Sequence, residues 1–254
     1  VEEMNSIVDW RLIDTGINDL YNNMAIDEAL IQLVSRENVP VLRFFDWSNP
    51  CISIGFSQRV KDVLDLSLCE ENHISFVRRP TGGGVVFHGF DLTYSVVLPA
   101  GFVKDIYEGY NLVQSNILKG LEKAGVTANI YEKIEKPDLK SHCFVTPNFG
   151  DIIIGGNKLC GLAARRIKQN ILYQGYIYAF DARSMWKFCK RKTSMGEGSV
   201  SLESFKISRE SVKESIMSNW SVSLSRSALT DNEEQMAEKL SEGKYSLPEW
   251  NLKR

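Results

Sequence analysis

Histidine and paired cysteine are scarce in this chain, and each scarcity removes a class of function. The three histidines stand at 73, 88 and 142, without the spacing that gathers metal ligands. The five cysteines, at 51, 69, 143, 160 and 189, are odd in number and contain no Cys-x-x-Cys pair. That pattern fits neither a disulfide framework nor a zinc site, and it predicts a reducing, cytoplasmic setting with no metal. No apolar run of about 18 residues occurs, so no membrane-spanning helix is expected. No signal-peptide pattern is visible at the start. The net charge of −2 argues against a basic nucleic-acid surface. There is no internal repeat and no low-complexity tract.

What remains is an ordinary globular composition, 43% hydrophobic and 24% charged over 254 residues. That length suits one large domain, or a domain with an appendage. Strands are predicted at 10–13, 39–45, 51–54, 74–78, 92–98, 129–131 and 171–180. Asn22 or Asn23 can cap a helix to about Arg36, which would put Asp27 and Glu28 in its first turn. Ile26, Leu30, Leu33 and Val34 repeat on that helix at core-facing spacing. Residues 61–71 read as a short helix. Ile106, Tyr110, Val113, Ile117 and Leu121 mark a long amphipathic helix ended by Gly125. Residues 151–162 read as a hairpin turning at Gly155-Gly156. Asp181 can cap a helix to about Lys190, and Lys192 to Ser204 reads as a Ser/Gly-rich linker. Helices follow at 208–220 and from the capping-box pattern Thr230-Asp-Asn-Glu233. The expectation is an α+β fold with a mixed, largely antiparallel sheet packed by helices. A catalytic domain would span 1–190, with a C-terminal helical extension, 191–254, packed on it.

Three stretches can carry chemistry. The first runs Arg78-Arg79-Pro80-Thr81-Gly82-Gly83-Gly84-Val85-Val86-Phe87-His88. Three consecutive glycines weaken any regular element and let backbone N–H groups come close to a phosphate, carboxylate or polarised carbonyl. Taken alone, such a triplet is more often a turn with solvated arginines. The second is Cys143, beside His142 in a charged loop, where a neighbouring cation would favour the thiolate. The third is Lys158, directly after the hairpin turn, which alone reads as a solvated lysine. Cys160, in an apolar strand, reads as core.

Together these stretches resemble the biotin/lipoate protein ligase and octanoyltransferase superfamily, from about Trp10 to Trp250. Asn23-Met-Ala-Ile-Asp-Glu-Ala-Leu30 is similar to its N-terminal helix, and the Arg78–His88 stretch to its signature loop. Gly156-Asn157-Lys158-Leu159-Cys160-Gly161 resembles the strand with its key lysine, and Tyr245-Ser-Leu-Pro-Glu-Trp-Asn251 its tail. One octanoyltransferase branch carries a Cys-Phe pair fifteen residues before that lysine, as Cys143-Phe144 stands to Lys158 here. Leu92-Thr93-Tyr94-Ser95 also resembles that branch. Gly84 takes the ligase form instead, and Gly161-Leu162-Ala163-Ala164 and Tyr173-Gln174-Gly175 depart from the branch's usual residues.

The resemblance implies a biotin/lipoate ligase-like domain that moves an octanoyl or lipoyl group from acyl carrier protein to a lysine of a lipoyl carrier domain. Cys143 would be the nucleophile and Lys158 would hold the acyl carbonyl. Arg78, Arg79, Gly82, Gly83, Gly84, His88, Gly161 and Ala163 would bind substrate, with His88 a candidate proton relay. No cofactor is implied. The alternatives are an ATP- and magnesium-dependent lipoate ligase with adenylate phosphate at Arg78 and the glycines, an amidotransferase between carrier proteins, and a non-catalytic acyl-binding paralogue.

Overall fold

The structure, a computed structural model, describes residues 9–133, 147–190 and 199–253. The first half runs β1 (Trp10–Asn18), α1 (Leu20–Glu37), β2 (Val41–Trp47), β3 (Cys51–Ile54), α2 (Val60–Val63), α3 (Leu66–Glu71), β4 (Phe76–Arg78), β5 (Val86–His88), β6 (Asp91–Leu98) and α4 (Ile106–Lys123). The second half runs β7 (Asn129–Ile130), β8 (Ile152–Ile154), β9 (Asn157–Ile167), β10 (Asn170–Tyr178), α5 (Arg209–Ser218), β11 (Leu224–Arg226), α6 (Asp231–Leu240) and α7 (Pro248–Asn251).

Among the described residues, eight strands form one sheet in the order β11-β1-β2-β6-β10-β9-β8-β7. Only the β11-β1 and β1-β2 pairs are parallel; the other five are antiparallel. A smaller sheet, β4-β3-β5, lies beside it. The fold is therefore α+β with a largely antiparallel sheet, as the sequence predicts.

The central strands are buried on both faces, and alternation divides their side chains between two cores. Leu42, Phe44, Val96 and Leu98 pack with Val113, Ile117 and Leu121 of α4. Val41, Phe45 and Val97 pack with Ala25, Ala29 and Leu30 of α1. A third core lies under the small sheet and includes Trp186 and Phe188 of a 3-10 turn.

The predicted helices need correction at their starts. Asp19, not Asn22 or Asn23, caps α1, accepting from the Tyr21 and Asn22 N–H groups. Asp27 and Glu28 therefore sit well inside the helix and are buried. Their partners come from elsewhere: Arg43 of β2 meets Asp27 at 2.6 Å, and Lys244 meets Glu28 at 2.5 Å. Asp181 does not cap an α-helix; it accepts from Arg183, and a 3-10 turn follows over Arg183–Phe188. Residues 61–71 split into α2 and α3.

The expected linker is not one over its described part. Val200 donates to the Lys158 carbonyl at 3.0 Å, and Leu202 is fully buried. The C-terminal region also holds β11, which joins the main sheet, so it is not purely helical. Thr230 and Glu233 form both halves of the capping box. An added Cβ on Gly120 would stand 2.4 Å from Ile216, so glycine there lets α4 and α5 touch.

Candidate active site

The glycine loop leaves β4 at Arg78 and re-enters the small sheet at β5. Gly83 holds φ +87°, a conformation that favours glycine. Gly55, after β3, faces the loop so closely that a Cβ would stand 1.9 Å from the Gly83 carbonyl oxygen. Two long-range contacts hold the loop to the main sheet. Thr81 Oγ1 donates to Gln174 Oε1 at 2.7 Å, and Arg165 donates to the Pro80 carbonyl at 2.9 Å.

The two arginines of the motif separate. Arg79 lines a cavity of about 260 Å³. Its guanidinium reaches the Gly82 carbonyl at 2.5 Å and Ser53 Oγ at 3.1 Å. Arg78 does not line that cavity. Its guanidinium donates to the carbonyls of Gly55, Phe56, Gln58, Trp250, Asn251 and Lys253. These six backbone acceptors make Arg78, expected as a substrate contact, a joint between the C-terminal tail and the motif.

The cavity lies between the two sheets and collects most of the sequence-predicted residues. Gly82, Gly83, Gly84, His88, Lys158, Gly161 and Ala163 all line it with Arg79. Met24 of α1, Phe45 and Trp47 of β2, Tyr110 of α4 and Phe149 supply apolar wall. Gly161 faces Tyr176 across the β9-β10 pair, where a Cβ would meet the ring at 2.6 Å.

Lys158 is not the solvated residue its place after the hairpin turn suggests. Its side chain is 3% exposed, and Nζ lies 2.7 Å from Asp151 Oδ2. Asp151 is equally buried and also lines the cavity. Burial pushes the Asp151 carboxyl above its usual range, and Lys158 offsets part of that rise. Asn148 N–H donates to the same carboxylate oxygen at 2.6 Å. Asp151 opens the hairpin that carries Lys158, so an acid just before the paired strands was the available signal for this pair.

His88 lies flat on Trp47, with ring centroids 4.0 Å apart and 20° between planes. Its Nδ1 is 2.8 Å from Asp91 Oδ2 and its Nε2 is 2.8 Å from Ser53 Oγ. Ser53 is a site residue that sequence reasoning does not single out; its sequence signal is a hydroxyl in the buried strand Cys51–Ile54.

Cys143 and Phe144 lie outside the described residues. The other four cysteines are buried free thiols. Burial pushes the thiols of Cys160 and Cys189 up to about 12, that of Cys69 to about 11, and that of Cys51 well above its usual value. Thiols so raised stay protonated near neutral pH and are poor nucleophiles.

Residues 19–230 match the lipoyl protein ligase A/B catalytic domain family. The chain is 32% identical to the octanoyltransferase LipM of Carboxydothermus hydrogenoformans, covering 95% of this chain and 97% of that protein. It is 31% identical to the octanoyltransferase LipM of Bacillus subtilis, over 96% of this chain and 98% of that one. Among solved structures, a lipoate-protein ligase A bound with ATP superposes with a TM-score of 0.85 at 25% identity. That match covers 96% of this chain and 98% of the ligase.

Proposed function

Because the chain belongs to the lipoyl protein ligase A/B catalytic domain family, we propose that it is an octanoyltransferase acting through a thioester on Cys143. The donor is octanoyl-acyl carrier protein and the acceptor is a lysine of a lipoyl carrier domain. The observation that carries this reading is a buried lysine, Lys158, set in the wall of a largely apolar cavity. Such a cavity suits an eight-carbon chain, each buried methylene contributing about 0.8 kcal/mol. Asp151 anchors the ammonium at the wall, where a carbonyl oxygen gains a charged donor as it becomes an oxyanion. The backbone of Gly82 to Gly84 packs against the chain or its thioester.

In the first half-reaction the Cys143 thiolate attacks the donor carbonyl. A new C–S bond forms, the old one breaks, and the carrier thiolate leaves and takes a proton. In the second, the acceptor amine attacks, a C–N bond forms, and Cys143 leaves as thiolate. Both pass through an oxyanion at the same carbonyl. The fifteen-residue spacing from Cys143 to Lys158 supports the assignment, as do the raised thiols of the other four cysteines.

A second reading, an ATP-dependent lipoate ligase, is favoured by the ligase form of the loop at Gly84 and by the likeness to the ATP-bound ligase. The carbonyl contacts of Arg78 weigh against its role at an adenylate phosphate. Intact mass after incubation with octanoyl-acyl carrier protein tests the first reading. Wild type should gain one octanoyl group, released by neutral hydroxylamine, and Cys143→Ser should not gain that labile group. The same labile adduct on Cys143→Ser would place the nucleophile elsewhere.

A further inference from the structure

Ser53, His88 and Asp91 form a directed hydrogen-bond chain on the cavity wall, opening from Arg79. With a neutral imidazole, the partners at the two ends set the direction. A guanidinium only donates, so Ser53 Oγ accepts from Arg79 at 3.1 Å. An ionised carboxylate only accepts, so His88 Nδ1 carries the proton that faces Asp91 at 2.8 Å. In the neutral imidazole with its proton on Nδ1, Nε2 is the acceptor, and the Ser53 hydroxyl can donate to it across 2.8 Å. Asp91 is held in turn by Thr93 Oγ1 at 2.8 Å and the Gly89 N–H at 3.1 Å. Trp47 both stacks on the imidazole and donates to Thr93 Oγ1 at 2.7 Å, which locks the ring plane. Ser53 and His88 line the same cavity as Lys158.

This arrangement has a use in transfer to an amine. A lysine ammonium, with a usual pKa of about 10.4, must lose a proton before its lone pair can attack. The Ser53 oxygen has two lone pairs. Arg79 holds one, and the second can accept a hydrogen from an incoming amine.

We infer that Ser53, His88 and Asp91 form a proton relay that deprotonates the acceptor lysine in the transfer half-reaction. The inference rests on the acyl-transfer reading above, but not on the identity of the donor. In the step, the acceptor nitrogen gives a proton to Ser53 Oγ while the Ser53 proton passes to His88 Nε2. The imidazolium so formed is paired with Asp91. The freed lone pair makes the C–N bond, the bond to the leaving group breaks, and the second proton lost by the nitrogen on becoming an amide goes to the leaving group or to solvent. His88 then returns its proton to solvent or to the leaving group, which restores the starting tautomer. Ser53 is here a proton carrier, not a nucleophile, and Arg79 and Asp91 are positioning residues.

The test separates loading from transfer. The enzyme is loaded with octanoate from whichever donor charges wild type, octanoyl-acyl carrier protein or free octanoate with ATP and magnesium. Single-turnover transfer to a lipoyl carrier domain is then followed from about pH 6 to about pH 10. Ser53→Ala should load within about threefold of wild type. It should transfer about a hundredfold more slowly near neutral pH. That deficit should shrink below about tenfold toward pH 10, where roughly a quarter of the acceptor amine is already neutral without help. His88→Gln should give the same profile, and melting temperatures are recorded for both. Equal losses in loading and transfer at every pH would reduce the chain to packing and overturn the relay. So would wild-type transfer by either variant. The donor that charges wild type reports on the proposed function, and the contrast between the two half-reactions reports on the relay.

Discussion

Arg78 and Arg79 are adjacent, both nearly fully buried, and differently employed. Arg78 ends β4 and Arg79 begins the loop that follows it. Arg78 enters a ring of carbonyls from residues 55–58 and 250–253, and so closes the chain's end onto its motif. The tail itself is held by Tyr245, whose hydroxyl donates to Glu28, and by Asn251, which accepts from the Arg78 N–H at 2.8 Å. Arg79 enters the cavity and engages the loop carbonyl of Gly82 and the hydroxyl of Ser53. A paired-arginine motif thus divides into an anchor and a site residue. Residue type does not tell them apart; the partners brought by the fold do.

The largest effect expected is on the anchor side. Arg78→Met strands several buried carbonyls, each costing about 1–3 kcal/mol when left unmade. A loss of at least about 4 kcal/mol is expected in urea unfolding, with residues 245–253 becoming open to proteolysis. A loss below about 1 kcal/mol would erase the contrast between the two arginines.

The next effect falls on another buried cation, Lys158. Lys158→Met leaves Asp151 buried without its cation, at a cost of about 3–5 kcal/mol near neutral pH. Acyl transfer should fall at least about a hundredfold. The stability loss should depend on pH in a definite sense. Asp151 already has its folded pKa raised above the usual carboxylate value, so it favours the folded state in acid. That contribution fades as pH rises through the folded pKa. Removing Lys158 raises that pKa further, so the destabilisation should be smallest in acid and grow toward neutral pH. A pH-independent difference in unfolding free energy would contradict the pairing.

Arg79→Lys should matter less for the fold and more for turnover. A single ammonium cannot hold both Ser53 and Gly82 as the guanidinium fork does. About tenfold slower transfer with a stability change near 1 kcal/mol is expected. The smallest effect belongs to Gly82→Ala. A Cβ there meets nothing within 4 Å, so stability should change by no more than about 0.5 kcal/mol. Gly83→Ala, at φ +87°, should cost at least about 1 kcal/mol, and a reversed ranking would contradict the loop geometry.

The parts legible in the sequence were those whose causes are local. The Gly155-Gly156 turn, the Thr230 capping box and the α4 stripe each lie within a few residues of their effect. The parts that were not legible depend on partners far away in the chain. Asp27 and Glu28 look like acids of a first turn until Arg43 and Lys244 are placed beside them. Arg78 meets tail carbonyls that lie 172 to 175 residues further along the chain. β11, of three residues, carries too short a pattern to be recognised without β1 beside it. Lys158 is intermediate, since its partner Asp151 is near in sequence but its burial comes from the surrounding strands and loop.

The central claim is that this cavity serves transfer of an existing acyl thioester to a carrier lysine. The most direct measurement is the mass of a lipoyl carrier domain after incubation with the protein and octanoyl-acyl carrier protein, with ATP and magnesium withheld. The account predicts one added octanoyl group on the carrier domain, absent when its acceptor lysine is replaced. A carrier domain that stays unmodified there, and gains the group only from free octanoate with ATP and magnesium, would contradict it.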